Sequence, residues 1–296
     1  MTSNRNGPVQ LAVSADAVLG ESPVWSPAEN ALYWVDIKKP RLFRHDFTQN
    51  TTRVTPLPEP VGAVVPCEGG GLAAALRSGF ALVDAQGVAT PVFLRPETGL
   101  PDNRFNDGKC DRQGRFWAAS MNEGDRGATG HLYRLSGMRE CARMESGFVI
   151  GNGLGWSPDD RVFYFTDSVA RRIYAYDFTL ETGAIANRRV FAAIPDDAGF
   201  PDGLCVDAAG HVWSAHWDGW RVTRYAPDGH IVDMLRMPVP RPTSCAFGGP
   251  LLDILYVTSA RMDLDAAVLA KAPWSGSVLA VATNSRGLPE PAFRAV

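Results

Sequence analysis

Residues 104–120, RFNDGKCDRQGRFWAAS, combine a polar start, a glycine, a turn and a short apolar strand. Two later stretches have the same order of features, GNGLGWSPDDRVFYFTD at 151–167 and PDGLCVDAAGHVWSAHW at 201–217. Asn-Gly, Asp-Gly and Pro-Asp pairs are favoured in turns, and β-branched and aromatic runs are favoured in strands. The repetition therefore indicates one supersecondary unit that is used several times along the chain.

The apolar strand recurs with a regular spacing. Six such strands can be aligned, each on one anchor residue, namely Leu32, Leu72, Phe116, Phe163, Val212 and Leu255. Successive anchors lie 40, 44, 47, 49 and 43 residues apart. A strand-rich unit that recurs every 40 to 50 residues is typical of a propeller blade of four antiparallel strands. The sequence predicts an all-β fold, a six-bladed β-propeller that occupies residues 1–296 as a single domain.

The main alternative fold is a β-sandwich, which would show strand signals every 8 to 12 residues without the longer period. The longer period favours the propeller. Residues 9–15, VQLAVSA, precede the first unit and are expected to add an outer strand to the blade that contains Leu255. Such pairing would close the ring and cover an exposed sheet edge.

Composition limits the classes of function. Hydrophobic residues make up 45% of the chain, charged residues make up 21%, and the net charge is −3. No basic excess indicates nucleic acid or an anionic membrane as a partner, and no signal peptide or apolar run long enough to span a membrane is found. The five cysteines contain no Cys-x-x-Cys pair, which argues against a disulfide framework and a zinc–thiolate site. We expect a cytoplasmic protein, either a monomer or a weak homo-oligomer.

Equivalent positions of a propeller repeat converge on its axis. Ten or eleven residues before the anchors, five of the six units have an oxygen-bearing side chain, and the remaining unit has Val61 or Gly62. The five are Glu21, Asn106, Asn152, Asp202 and Ser244. Each of these residues taken alone is also a common turn former. Their shared register predicts a ring of oxygen donors at one mouth of the central channel.

A ring of this kind fits one divalent metal cation. Burying unpaired carboxylates is strongly unfavourable, and a cation would offset their charge. Oxygen ligands favour Ca²⁺, Mg²⁺ or Mn²⁺, although Zn²⁺ and Fe²⁺ also accept a mixed oxygen set. No histidine falls at the inner register, and His216 is the one nearest to it. No G-x-S-x-G nucleophile motif or phosphate-binding loop occurs.

The whole chain resembles the SMP-30/gluconolactonase/luciferin-regenerating family. The resemblance rests on GESPVW, NDGKCDRQGRFWAASM, NGLGWSPDDRVFYFTDS, PDGLCVDAAGHVWSAHW and SCAFGGPLLDILYVTSAR, which occur in the expected order. It implies a six-bladed propeller with metal-dependent lactonase activity. By motif, it implies the metal ligands Glu21, Asn152 and Asp202 and the substrate-binding residues Arg104, Asn106 and Glu123.

Three positions depart from the family pattern. Ser22 stands where the family usually has glycine, and Ala119-Ser120 replaces Gly-Thr. HWDGW at 216–220 replaces a Trp-Gly-Gly pattern, so Trp217 and Trp220 either shape the pocket or pack between blades. We expect Ser22 and Ala119-Ser120 to lie beside the pocket and to influence the choice of substrate, not the metal site.

The leading functional hypothesis is hydrolysis of a sugar lactone to its aldonic acid, with xylono-, arabinono- and gluconolactone all compatible with the sequence. Of the two carboxylates in the predicted ring, Asp202 precedes Gly203, which leaves room for water and substrate. We therefore predict that Asp202 is both ligand and general base, with Arg104 orienting the lactone. The alternative is that Asp202 only ligates and the metal activates the water.

Two other functions remain compatible with the sequence. One is hydrolysis of organophosphates or aryl esters by a paraoxonase-like propeller, in which histidines are common at the pocket. The other is a non-enzymatic calcium-binding propeller in which the metal is structural.

Overall fold

The computed structural model describes residues 6–124 and 127–296, and these form a six-bladed β-propeller. One short helix, α1 (Ala266–Lys271), and one 3-10 turn at Asp196–Ala198 interrupt the strands. The strands are β1 (Gln10–Val13), β2 (Gly20–Ser26), β3 (Ala31–Asp36), β4 (Arg41–Asp46), β5 (Thr51–Pro56), β6 (Val61–Pro66), β7 (Leu72–Leu76), β8 (Gly79–Val83), β9 (Asn103–Cys110), β10 (Phe116–Asn122), β11 (Gly130–Ser136), β12 (Glu140–Phe148), β13 (Gly151–Trp156), β14 (Val162–Asp167), β15 (Arg172–Thr179), β16 (Ala184–Ala193), β17 (Phe200–Val206), β18 (Val212–Trp217), β19 (Arg221–Tyr225), β20 (Ile231–Arg236), β21 (Pro242–Gly248), β22 (Ile254–Ser259) and β23 (Val278–Ala282).

Each blade is an antiparallel sheet in which the strands follow one another outward from the axis. The four-stranded blades are β2-β3-β4-β5, β9-β10-β11-β12, β13-β14-β15-β16, β17-β18-β19-β20 and β21-β22-β23-β1. Each of the six anchors predicted from the sequence lies in the second strand of its blade, as the first or second residue of that strand. The predicted six-bladed propeller is therefore confirmed.

The second blade, β6-β7-β8, has three strands, so the expectation of four strands per blade is wrong there. Residues 89–94 run along its outer edge but make only two isolated bridges, Val83–Ala89 and Phe80–Leu94. Pro91 lies between these bridges. Because proline has no backbone N–H to donate, it interrupts a regular ladder.

The ring closes by pairing the two ends of the chain. Strand β1 is antiparallel to β23, with Gln10 opposite Ala280, and the backbone N–H of Ala15 donates to Oγ of Ser277 at 3.1 Å. The predicted role of residues 9–15 is confirmed. Within the described residues, no helix is both long enough and apolar enough to cross a membrane.

The core lies between the blades. Among the described residues, six clusters of buried apolar side chains can be distinguished, and each joins two successive blades. Between the third and fourth blades, for example, Trp117 packs edge-on against Trp156 at 5.9 Å, and Phe163 lies 5.1 Å from each of them. The large aromatic residues of the repeat therefore fill the wedge between two twisted sheets.

The same hydrogen-bond pattern recurs in two of the repeated stretches, residues 104–120 and 201–217. Oδ1 of Asp111 accepts from the backbone N–H of Gln113 at 3.0 Å, and its Oδ2 accepts from Nε1 of Trp117 at 2.8 Å. In the fifth blade, Oδ2 of Asp207 accepts from Nε1 of Trp213 at 3.1 Å. One aspartate thus forms the turn after an innermost strand and also fixes the tryptophan of the next strand.

The closing strand provides a test of how the ring is held. Val13 is 5% exposed and packs in the cluster between the last and first blades, whereas Leu11 on the same strand is 38% exposed. We expect Val13→Ala to lower the free energy of unfolding by about 2 kcal/mol because buried methyl groups are lost. Leu11→Ala, as the matched control, should change it by no more than about 0.5 kcal/mol. Urea unfolding would measure both, and equal losses would contradict this account of β1.

Candidate functional site

All six innermost strands shift register near the same mouth of the channel. These strands, β2, β6, β9, β13, β17 and β21, contact one another around the axis. A β-bulge changes the direction of side chains and ends regular pairing. The breaks in register lie between Glu21 and Val24, Val61 and Ala63, Phe105 and Asp107, Asn152 and Leu154, Pro201 and Leu204, and Pro242 and Cys245. The predicted ring positions therefore coincide with a ring of bulges.

The six site residues from the sequence line one cavity of about 310 Å³ at this mouth. Apolar side chains, including Phe200 and Trp217, form another part of its wall. The six residues are Glu21, Arg104, Asn106, Glu123, Asn152 and Asp202. All except Glu123 are less than 9% exposed. The fold thus brings these side chains together, while their assignment as metal ligands and substrate contacts stays a prediction.

The floor of the cavity is acidic. Burial, and then the charges of Asp202 and Asp107, raise the pKa of Glu21 well above its ordinary value. Burial, and then the charge of Asp107, raise the pKa of Asp202 in the same way, although Asn152 donates a hydrogen bond to it. Carboxylates this close to one another in a buried site are stabilised in their ionised form by a nearby cation.

Asp107 is a third buried carboxylate, so the expectation that the inner ring has only two is wrong. Burial raises its pKa to about 6, although the charge of Lys109 and the backbone N–H of Gly108 act in the opposite direction. The register shift at Asn106 breaks the alternation of β9, so two successive side chains can face the axis. The NDG sequence, which contains a turn-forming pair, was the available signal for such a bulge.

The amide of Asn152 holds the floor together. Its Nδ2 donates to Asp202 and, at 3.1 Å, to Oγ of Ser168, while its Oδ1 accepts from the backbone N–H of Gly153 at 3.0 Å. To ligate a cation through oxygen, this amide would have to rotate. Among the described residues, no three His, Cys, Asp or Glu side chains form a metal-binding group. Glu21 and Asp202 with one amide oxygen nevertheless form a hard donor set that fits a divalent cation.

Arg104 connects the floor to the rim. Its Nη1 donates to Oδ1 of Asn106 at 2.8 Å, and Nδ2 of Asn106 donates to the carbonyl of Gly151 at 3.1 Å. Its Nε lies 3.7 Å from Oε1 of Glu123. These contacts fix the guanidinium, which is 3% exposed, between the inner carboxylates and Glu123.

Glu123 stands at the rim among three cations. Besides Arg104, Nζ of Lys38 lies 3.1 Å from Oε1, and Nη1 of Arg77 lies 2.9 Å from Oε2. Partial burial opposes ionisation, but the hydrogen bond and charge of Lys38 and the charges of Arg104 and Arg77 hold the pKa of Glu123 below its ordinary value. Lys38 and Arg77 were not identified from the sequence because they lie in turns of other blades.

Two departures from the family pattern adjoin residues of the cavity wall but do not line the cavity themselves. Ser22 has a φ of 51°, the left-handed region that favours glycine, and its Oγ accepts from the backbone N–H of Val64 at 3.0 Å. Ser120 donates through Oγ to Glu97 at 2.6 Å, and Ala119 is buried between blades. These residues join neighbouring elements and do not line the cavity.

The HWDGW segment contributes one side chain to the cavity. Trp217 lines it, with the guanidinium of Arg241 4.5 Å from its ring centre. Trp220 is 38% exposed and lies outside the lining. His216 is buried and its Nδ1 contacts the carbonyl of Ala198 at 2.9 Å. Burial lowers the pKa of His216 to about 4, so its imidazole is neutral near pH 7.

The opposite ends of the inner strands are closed by the C-terminal segment. Lys109 donates to the carbonyl of Leu204 at 3.2 Å and lies 3.4 Å from Glu290. Residues 288–291 cover a smaller cavity of about 50 Å³ there. The larger cavity at the bulged mouth is therefore the better candidate for a substrate site.

Comparisons with known proteins agree with the propeller fold. Residues 19–261 match the family model described as SMP-30/Gluconolactonase/LRE-like region. A 6-deoxy-6-sulfogluconolactonase from Pseudomonas putida is 38% identical over 289 residues, covering 97% of this chain and 99% of its own. A regucalcin from Xenopus laevis is 33% identical over 292 residues, covering 96% and 98%. The solved structure of a calcium-binding regucalcin from Agrobacterium tumefaciens superposes with a TM-score of 0.92 at 28% identity, covering 97% and 98%.

Gly203 gives a test of how the site is built. It was expected to leave room for substrate, but a Cβ there would lie 2.1 Å from Oγ of Ser244, so it allows close approach of the next blade instead. We expect Gly203→Ala to lower the free energy of unfolding by about 1–3 kcal/mol and to displace Asp202. Gly99→Ala, where a Cβ would meet nothing within 4 Å, should change it by about 1 kcal/mol or less. Thermal unfolding of both variants would decide, and equal effects would refute the packing role.

Proposed function

This chain belongs to the SMP-30/gluconolactonase/LRE-like family, and on that premise we propose that it hydrolyses a sugar lactone to the corresponding aldonic acid. The observation that carries the proposal is the single cavity in which the buried Glu21 and Asp202 lie at the floor and Arg104 and Glu123 lie toward the rim. The 38% identical relative, a sulfogluconolactonase, supports a sugar lactone as the substrate class.

The shape and lining of the cavity favour a polyol. At about 310 Å³ it is at the small end of ligand pockets, which suits one sugar ring. Arg104, Asn106 and Glu123 offer donors and acceptors for hydroxyl groups, while Phe200 and Trp217 offer an apolar face. A lactone with a long acyl chain would remove water from these polar groups without offering them hydrogen bonds, which is costly in a buried site.

We further propose that Glu21, Asn152 and Asp202 hold one divalent cation. Their burial and the raised pKa of both carboxyl groups, caused first by burial and then by neighbouring carboxylates, support a cation at the floor. The cation would supply positive charge beside the lactone carbonyl oxygen, where negative charge develops in the transition state. Ca²⁺, Mg²⁺, Mn²⁺, Zn²⁺ and Fe²⁺ are all compatible with the oxygen donors.

Asp202 is the proposed general base. It would accept a proton from the water that attacks the carbonyl carbon and return that proton to the ring oxygen as the carbon–oxygen bond breaks. The products are the carboxyl group and the free hydroxyl of the aldonic acid, so the proton balance closes. Arg104, fixed by Asn106 at 2.8 Å, would orient the lactone through its hydroxyl groups.

A paraoxonase-like hydrolase of aryl esters or organophosphates is the second candidate. The cavity formed by the described residues has no histidine in its lining, and His216 is turned to the carbonyl of Ala198. This arrangement favours the sugar lactonase. A non-enzymatic calcium-binding propeller would keep its metal for stability alone.

The substrate class and the metal can be tested together. We expect purified protein to release acid from glucono-, xylono- or arabinonolactone and to leave acyl-homoserine lactones and aryl esters largely intact. Chelation should abolish turnover while the β-rich circular dichroism persists, and titration with each divalent ion should identify the one that restores it. A preference for the acyl lactones would overturn the proposal, and chelation that lowers only the melting temperature would favour the structural role.

The role of Asp202 can be tested separately from metal binding. Asp202→Asn retains an oxygen ligand but cannot accept the proton, so we expect kcat to fall about 10²-fold or more in metal-loaded protein. Asp167→Asn is a matched control, because Asp167 is also buried but lies outside the cavity lining. A metal-loaded Asp202→Asn variant with nearly the parent kcat would show that Asp202 only ligates.

A further inference from the structure

The rim of the cavity has more positive charge than Glu123 requires. Lys38, Arg77 and Arg104 lie 3.1, 2.9 and 3.7 Å from its carboxylate oxygens. Lys38 lies in the turn between β3 and β4, and Arg77 lies in the turn between β7 and β8. Two neighbouring blades therefore each extend a long cationic side chain toward one acidic residue of the third blade.

Two acids beside these turns, Asp36 and Glu59, are engaged elsewhere. Asp36 binds Arg41 at 2.9 Å and accepts from the backbone N–H of Lys38 at 3.1 Å. Glu59 accepts from Oγ of Ser78 at 2.6 Å. Arg104 also faces the inner carboxylates, so around Glu123 the two remaining cations, Lys38 and Arg77, outnumber the one carboxylate by one charge.

Stability alone does not account for this arrangement. The side chains of Lys38 and Arg77 are 33% and 41% exposed, and partly exposed ion pairs of this kind contribute little to folding. One cation would suffice to pair with Glu123. Bringing two flexible side chains to the same carboxylate costs side-chain entropy, which indicates that their ammonium and guanidinium groups are placed for a ligand.

The position of the cluster relative to the floor indicates where that ligand would bind. Lys38 and Glu123 line the same cavity as Glu21 and Asp202, and Arg77, which is not a lining residue, contacts Oε2 of Glu123 at 2.9 Å. A lactone with its carbonyl at the carboxylate floor would direct the far end of its carbon chain toward the rim. An oxyanion at that end would meet Lys38 and Arg77, and Glu123 would hold both cations in place and accept a hydrogen bond from a hydroxyl group.

We propose that the natural substrate is an anionic sugar lactone whose carboxylate, sulfonate or phosphate substituent, on the carbon farthest from the lactone carbonyl, binds Lys38 and Arg77. This inference rests on the proposed lactonase function and adds the charge of the substrate to it. An uncharged lactone would use the floor of the cavity and leave the two rim cations with Glu123 alone.

The test compares gluconolactone with its 6-sulfonate, 6-carboxylate and 6-phosphate analogues. We expect the parent protein to have a higher kcat/KM for at least one anionic lactone than for gluconolactone. Lys38→Met and Arg77→Met should each lower the ratio of anionic to neutral kcat/KM about 10-fold, mainly through KM, because the rim is remote from the reacting carbonyl. The best of the three analogues would identify the oxyanion.

Lys39→Met is the matched control. Lys39 adjoins Lys38 in sequence and carries the same charge, but it is 55% exposed and pairs with Asp16 at 3.6 Å, whereas Lys38 and Arg77 pair with Glu123. It should leave the anionic-to-neutral ratio within about two-fold of the parent value. Equal effects of Lys38→Met and Lys39→Met, or a parent preference for gluconolactone, would overturn the anion site while leaving the lactonase proposal standing.

Failure of the lactonase proposal would look different. If no lactone is hydrolysed, the rim site can still be tested apart from the lactonase function. Calorimetry would measure how tightly 6-phosphogluconate and gluconate bind to the parent protein and to Lys38→Met. The rim site would be supported, even in the absence of a reaction, if the parent binds 6-phosphogluconate more tightly than gluconate and Lys38→Met weakens the binding of 6-phosphogluconate about 10-fold. Equal binding of both acids would overturn the rim site as well.

Discussion

The approach of six strands to one axis is the constraint on which the rest of this structure depends. At the bulged mouth the innermost strands pass so close together that a Cβ at Gly62 would lie 2.4 Å from backbone atoms of Phe105, and one at Gly203 would lie 2.1 Å from Ser244. The bulges release side chains from the ladders at the same level and direct them to the axis. Acidic groups from different blades are thereby forced together, and a site that needs a counter-charge results from the packing.

The charges of the cavity are arranged in layers. Glu21 and Asp202, with Asp107 buried close to both, make the floor acidic, while Lys38 in the lining and Arg77 behind Glu123 bring positive charge to the rim. Arg104 lies between the layers: its charge lowers the pKa of both Glu21 and Asp202 against their burial, and its Nε faces Glu123. A ligand that enters would thus meet the ion pair of Lys38 and Glu123 first and the buried carboxyl groups of Glu21 and Asp202 last.

The sequence predicted much of this because the repeat period and the register are local properties. Counting back from Leu32 or Val212 finds Glu21 or Asp202 without any knowledge of three-dimensional contacts. Asp107 was missed because a bulge breaks the alternation on which such counting depends. Lys38 and Arg77 were missed because the direction of a turn depends on the twist of its blade, and the hydrogen bond of Ser22 to Val64 could not be predicted because it joins two blades.

The joining of β1 to β23 also affects the order in which the protein folds during synthesis. The hydrogen bond from Ala15 to Ser277 spans 262 residues, whereas the hairpins within a blade join neighbouring strands. At a translation rate of about 5–20 residues per second, Ala15 leaves the ribosome roughly 13–50 s before its partner. During that interval β1 has no partner strand and the apolar face of the first blade that packs against the last blade is uncovered, so this is the period in which a chaperone would be of most use to the chain.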